Sequence, residues 1–391
     1  MIADLHAHYA MHLVPEGPGD PFELLATARG RGRLTDRVRA KLVGLAGRFG
    51  NYRSFDSGPR VTVPALRQGG VGPVFSVLYS FFDELDLDAP YGAPPEDGYL
   101  PRLVRQLELV EADLTENHSG QAVVVRDRAS LDAALGDGRI AFVHCVEGGF
   151  HLGAEPAAVE RAVSELAGRG VVYITLPHLL WRGVATNAPA FPFMPDWLYG
   201  LLFPQPAEGL SELGRAAVRS MARERVLVDV SHMSRRALDD TFALLDEVDP
   251  GRTLPVLATH AGYRFGSLRY MLDAETIERI AARDGLVGLI FAQHQLNDGI
   301  RRRRTRTLEE SLEVLFRHVD RLREITGSHR HTVIGSDLDG FIKPTLGGLE
   351  SMADMAALES ALVRRYGEED ARAIGSENTL RMLRALWRAD G

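Results

Sequence analysis

Two histidines one residue apart, His6-Ala7-His8, follow the first apolar stretch of the chain, Met1-Ile2-Ala3-Asp4-Leu5. On a strand, alternate side chains share a face, so both imidazoles would stand on one side about 7 Å apart. Placed at a strand end, they could reach a single metal ion. Taken alone, the pair is more often a polar strand end with two solvated rings. Weight comes from further ligand-type residues, each at the end of another apolar run: Glu147, His178, His232, His260 and Asp337. Of 13 histidines, five fall at these few positions, which is hard to reach by chance. Imidazole nitrogens and carboxylate oxygens are the donors zinc takes, and a site with an open position activates water. Each residue also has a duller reading: His178 as a loop cap, His232 beside a helix start, Asp337 as the cap of the next helix. Jointly they point to a binuclear metal site.

Eight strand-like runs would have to position these residues. They are Ile2–His8, Val71–Tyr79, Ile140–Val146, Val171–Leu176, Val226–Val230, Pro255–Thr259, Leu286–Phe291 and Thr332–Gly335. Runs with helical spacing lie between them, at Pro101–Thr115, Ala157–Ala167, Ser211–Arg223, Ser234–Leu245, Ala274–Ala282 and Leu308–Ile325. Strand and helix in alternation imply parallel strands, and eight such units imply a closed (β/α)8 TIM barrel with insertions in the βα loops. Active sites of such barrels lie at the C-terminal strand ends, where the ligand-type residues fall. After the first run, Pro15, Gly17, Pro18 and Gly19 mark a loop, and Phe22–Phe49 has helical spacing. With no repeat and no composition break, residues 1–391 read as one domain.

The 391 residues are 45% hydrophobic and 25% charged, enough for a large core, and the formal charge of −8 argues against a general nucleic-acid surface. The basic run Arg301–Arg304 reads as a solvated loop. Cys145 is the single cysteine and lies in an apolar run, so it is expected to be buried and inert, without a disulfide. The first strand begins too early for a signal peptide, and no apolar run reaches the ~18 residues a membrane helix needs. The expectation is a cytoplasmic protein without membrane anchor, with a homodimer left open.

The local sequences Val146-Glu147-Gly148-Gly149, Tyr173-Ile174-Thr175-Leu176-Pro177-His178, Asp229-Val230-Ser231-His232, Thr259-His260 and Gly335-Ser336-Asp337-Leu338-Asp339-Gly340 resemble the membrane (renal) dipeptidase family. This is peptidase family M19, in the amidohydrolase superfamily of metal-dependent barrels. The resemblance runs from the first strand to near Trp387 and implies a dipeptidase using two Zn2+ ions, with manganese or cobalt as alternatives. It implies that His6 and the residue two later hold one ion, that Glu147 bridges, and that His232 and His260 hold the second. Asp337 would shuttle the proton of the activated water to the leaving amine, and His178 would polarise the substrate carbonyl. Arg269 would clamp the dipeptide carboxylate, as its fork-shaped guanidinium suits, and Asn187 would fall among the substrate-binding residues.

The resemblance has one departure: the family's first strand carries His-x-Asp, and this chain has His6-Ala7-His8. A neutral ligand in place of a carboxylate makes the site one unit more positive. The substrate class is therefore open. A dipeptide, including one with a D- or non-standard C-terminal residue, leads. Another amide, a lactone or a specialised-metabolite conjugate on the same metals is the alternative, and a non-catalytic binding protein comes third. His12 is expected to line the neighbouring loop. Trp181–Phe203 reads as a pocket wall, lid or protein contact, and Phe291–Arg306 as a second candidate lid.

Overall fold

The computed structural model describes residues 1–14, 33–49, 58–85, 90–96, 98–340, 342 and 344–387. The expected loop at Pro15–Gly19 and the expected helical stretch from Phe22 to residue 32 lie outside the described residues; the helix itself is seen from Leu34 to Phe49.

Among the described residues, nine strands form one parallel sheet: β1 (Ile2–Ala7), β2 (Val71–Leu78), β3 (Ala122–Val124), β4 (Ile140–Glu147), β5 (Tyr173–Thr175), β6 (Leu227–Asp229), β7 (Leu257–Ala261), β8 (Leu286–Leu289) and β9 (Thr332–Ile334). β1 pairs with both β2 and β9, and β2 pairs with β4, so eight strands close into a barrel. Helices surround it, making a (β/α)8 TIM barrel. The ninth strand departs from the eight expected units. β3 pairs only with the start of β4, from Ala122↔Ile140 to Val124↔Phe142, where β2 has not yet joined; β2 takes over from Val74↔Phe142 to Leu78↔Val146. Three residues are too few for a legible periodicity, and only the diverging end of β2 gives them a partner.

Every residue of β1, β2 and β4 is buried. Parallel strands covered on both faces read as continuous apolar runs rather than alternations, which is why they stand out in the sequence. The helices bury one stripe each, as Leu103, Leu107, Val110 and Leu114 do in Tyr99–Asn117. Their starts are set by side chains. Asp127, Ser211, Ser234, Asp273 and Thr307 each accept from the backbone N–H three residues on, a cap contributing about 1 kcal/mol.

Connections at the C-terminal strand ends are the long ones: β5 ends at Thr175 and the next helix starts at Asp196, and β9 ends at Ile334 with the next α-helix at Met355. The returns are short, as from Ala281 to Leu286. Chain length is thus spent where a site can be built. Two glycines let three strands approach inside the barrel. A Cβ on Gly288 or Gly335 would lie 1.9 or 1.7 Å from the Thr259 carbonyl oxygen, so neither position admits a side chain while β7 keeps its place. No helix among the described residues is long and apolar enough to cross a membrane.

Candidate metal centre

β1 delivers its histidines to the rim, and the β9 loop fastens them there. The Asp337 N–H donates to the His6 carbonyl at 2.9 Å, and the His8 N–H donates to the Leu338 carbonyl at 3.0 Å. This clasp sets His8 Nε2 at 2.9 Å from Asp337 Oδ1. Glu147 is the last residue of β4, and its carboxylate sits in a ring of imidazoles. Nε2 of His6 and His260 are 3.5 and 3.3 Å from Oε1, and that of His232 is 3.6 Å from the same oxygen. Nε2 of His8 and His178 are 3.7 and 3.5 Å from Oε2. The structure therefore brings together His6, His8, Glu147, His178, His232, His260 and Asp337, every one of them buried.

Hydrogen bonding behind the rings decides which nitrogen faces inward. The Tyr173 hydroxyl donates to the Leu5 carbonyl at 2.9 Å, and the Thr259 hydroxyl donates to Asp229 Oδ2 at 2.7 Å. With their protons spent, both oxygens can only accept. His6 Nδ1–H donates to them at 2.9 and 3.0 Å, and His260 Nδ1–H donates to Thr259 at 2.8 Å. In their neutral form His6 and His260 therefore turn their Nε2 lone pairs toward Glu147, the tautomer a metal requires. One buried carboxylate anchors this arrangement. Asp229 also accepts from the Thr175 hydroxyl at 2.5 Å, from the Ser231 N–H and hydroxyl at 3.0 and 2.8 Å, and from the Thr259 N–H at 2.9 Å. Asp229→Ala is expected to lower unfolding free energy by about 3 kcal/mol or more, because several buried donors lose one charged acceptor. Urea denaturation checks this; a loss below about 1 kcal/mol would contradict the anchoring role.

The electrostatics suit the same reading. Burial alone would raise the Glu147 pKa, but the His178 and His6 rings outweigh it and hold the carboxyl well below its usual range. Burial holds His232 and His260 well below the ordinary imidazole value, aided by the neighbouring histidines, so both are neutral. His178 goes the other way. Burial opposes its charge, yet Glu147 and Glu84 prevail and raise it to about 9. Glu84 is buried, accepts from His178 Nδ1–H at 2.7 Å and from the Leu180 N–H at 2.7 Å, and so fixes both the ring and its loop. In Glu84→Gln, kcat is expected to fall about 10- to 100-fold with metal content unchanged. Steady-state kinetics beside metal analysis read this, and an unaltered kcat would remove Glu84 from the machinery.

Glu84 and Asp229 were not singled out in the sequence. Asp229 opens the Asp229-Val230-Ser231-His232 motif but was given no role there, whereas nothing near Glu84 in sequence signals its contact with His178. A backbone feature was equally hidden: His232, Asp337 and Asp339 all adopt left-handed φ values of 64°, 58° and 65°. Non-glycine residues rarely do so, and such positions cluster at functional sites.

The donor set fits a divalent metal. His6 Nε2 and both Glu147 oxygens are buried without any hydrogen-bond partner, a cost of about 1–3 kcal/mol each that a bound cation would remove. Among the described residues, three overlapping groups bring ligand atoms within 4.8 Å of one another: His6, Glu147 and His260; His6, His8 and Asp337; Glu147, His178 and His232. Other expected site residues lie differently. Arg269 is 61% exposed at its side chain, with Nε 2.9 Å from Asp196 Oδ2. Asn187 is buried and its amide donates to the Leu179 carbonyl at 2.9 Å and the Tyr199 hydroxyl at 2.7 Å, tying its loop together. His12 pairs with Asp339 at 2.8 Å, beside the loop it was expected to line. Cys145 is buried and free, as expected.

The sequence model described as membrane dipeptidase (peptidase family M19) matches residues 48–389. The chain belongs to the membrane dipeptidase family. As a member it is a metal-dependent hydrolase of the dipeptidase type, and the resemblance in its motifs is thereby shown. Solved structures share the fold of this M19 chain. One is described as the dipeptidase AC, a metallopeptidase of family M19, with 21% identity, a TM-score of 0.69 and 99% of each chain covered. A second is a metallopeptidase from Rhodobacter sphaeroides bound to a phosphinate mimic of the dipeptide L-Ala-D-Ala, with 21% identity, TM-score 0.69 and 99% of each chain covered. A third is the probable dipeptidase PvdM from Pseudomonas aeruginosa, with 16% identity, TM-score 0.65, and 85% of this chain and 90% of that one covered.

Proposed function

We propose that the protein hydrolyses the peptide bond of dipeptides, those with a D-residue at the C-terminus included, using two divalent ions of which zinc is the foremost candidate. One observation carries this: the Glu147 carboxylate has no hydrogen bond on either oxygen while five imidazole nitrogens stand 3.3 to 3.7 Å from it. A carboxylate can bridge two cations, and a single imidazole face cannot. His6 and His8 would hold one ion, His232 and His260 the other, with Glu147 between them. Ions held there would polarise the scissile carbonyl and lower the pKa of a water to near 7.

The chain's own groups do the rest. His178, backed by Glu84, offers an N–H to the oxygen on which negative charge develops. Asp337 takes up a proton and returns it to the departing amine, a role that requires an acceptor in the pocket before any particular pKa. Arg269 would hold the substrate carboxylate after exchanging Asp196 for it, and Asn187 keeps the pocket loop in place. The Rhodobacter relative was solved with a mimic ending in D-Ala, which supports including D-residues.

The test is a panel of L-Ala-L-Ala, L-Ala-D-Ala and a lactone on metal-analysed enzyme. Dipeptide turnover that chelation abolishes, and zinc, manganese or cobalt restores, is expected. Full metal occupancy with lactone turnover alone would replace dipeptide hydrolysis by the other amidohydrolase chemistry.

A further inference from the structure

Two residues beyond the metal-type cluster line the same cavity. His294 and Gln295 border it together with His8, His232 and Asp337. They lie on the short helix Gln293–Leu296, which follows β8 within the segment that the sequence suggested as a second lid. Both ring nitrogens of His294 and Gln295 Oε1 are buried without a partner in good hydrogen-bond geometry, with the Ala190 carbonyl near the ring. Burial holds the imidazole at about 4, so the ring is neutral at pH 7 and presents one donor and one acceptor.

Unpaired polar atoms are a cost, and here the fold keeps them from escaping it. The Gln293 side chain donates to the Thr305 and Thr345 carbonyls at 2.8 and 2.5 Å, and the Thr305 N–H donates back to it at 3.0 Å. His318 Nε2–H donates to the Leu296 carbonyl at 3.0 Å. The helix is thus pinned at both ends, with His294 and Gln295 between the pins. Buried polar atoms held rigidly without a protein partner in the wall of this cavity are free to pair with a ligand group. The surrounding cavity wall is aliphatic, with Leu179, Ile290 and Ile342.

We propose that His294 and Gln295 form a side-chain subsite that selects a dipeptide residue bearing a neutral hydrogen-bonding group, a hydroxyl or a carboxamide. Such a group both donates and accepts. It can give a proton to Gln295 Oε1 and share the remaining bond with the imidazole. A carboxylate would find one donor and an opposing amide oxygen. The inference rests on the dipeptidase reading above.

Isosteric dipeptides test it on the metal-loaded enzyme. Ser is set against 2-aminobutyrate, Asn against Leu, and 2,3-diaminopropionate supplies the ammonium analogue, each placed in turn at both positions beside Ala. At one position, kcat/KM is expected to favour the polar member about 10- to 100-fold, the range for leaving buried polar groups unpaired. His294→Leu and Gln295→Met should bring that ratio to about 1 with metal content as in the wild type, whereas His294→Asn should retain part of it. A wild-type ratio within about threefold, a ratio that both variants leave intact, or a preference for the ammonium analogue overturns the subsite alone. A wild type that cleaves no dipeptide overturns the dipeptidase reading and this subsite with it.

Discussion

Glu147→Gln is expected to remove metal binding and dipeptide hydrolysis together. The substitution keeps shape and burial, so any loss reports the charge and the second equivalent oxygen. Both Glu147 oxygens are free of protein hydrogen bonds, and five imidazoles approach them. An amide offers one oxygen to these neighbours and turns an NH2 group toward lone pairs that must face inward. Metal content should drop severalfold or more, and kcat/KM by about 10^3-fold or beyond, near 4 kcal/mol of transition-state stabilisation. The charge balance shifts as well: the raised His178 pKa depends on Glu147 and Glu84, so without Glu147 that ring loses proton affinity. Elemental analysis beside kinetics decides the matter. A variant with wild-type metal content and rate would show that Glu147 is a structural carboxylate and not the centre of the site.

Asp337→Asn is the second large expectation, with the opposite metal outcome. Asp337 is held by its backbone N–H on the His6 carbonyl and sits at a left-handed φ of 58°. Asparagine is among the few residues that tolerate this conformation, so the backbone should survive where alanine would add strain. The amide also keeps the size and shape of the carboxylate beside His8, whose Nε2 lies 2.9 Å from Oδ1. What the variant loses is a group that can take up and release a proton. Turnover is expected to fall about 10^2- to 10^4-fold, the usual worth of a positioned acid–base group, with metal content and KM close to the wild type. Near wild-type turnover would take the proton shuttle away from Asp337. Loss of metal together with turnover would make it a ligand instead, which its place beside His6 and His8 makes a meaningful outcome.

The sequence by itself determined the barrel and the heart of the site. Buried parallel strands are continuous apolar runs, so β2, β4 and β7 could be read directly, and a barrel confines chemistry to the strand ends. His6, His8, Glu147, His232, His260 and Asp337 follow from those two facts, and the structure gathers them as the spacing implied. Short-range rules sufficed because each of these residues is placed by its own strand.

Only the tertiary structure decided what stands behind and beside them. Glu84 reaches His178 across 94 positions of the chain, and Tyr173 reaches His6 across 167; no local pattern carries contacts of that range. Asp229 became the anchor of the site because β6 and β7 lie side by side, which alone brings the Thr259 hydroxyl and N–H to its carboxylate. The guanidinium of Arg269 suited a carboxylate clamp by chemistry, but its position is set by the loop after β7 and by Asp196, a partner from a distant helix. His294 and Gln295 belong to no motif or periodicity in the sequence. They gain meaning from burial without partners, a property that exists only once the chain has closed around them. Side-chain chemistry and strand periodicity are local and legible in a sequence; tautomer, charge state and unsatisfied burial belong to neighbours that folding supplies.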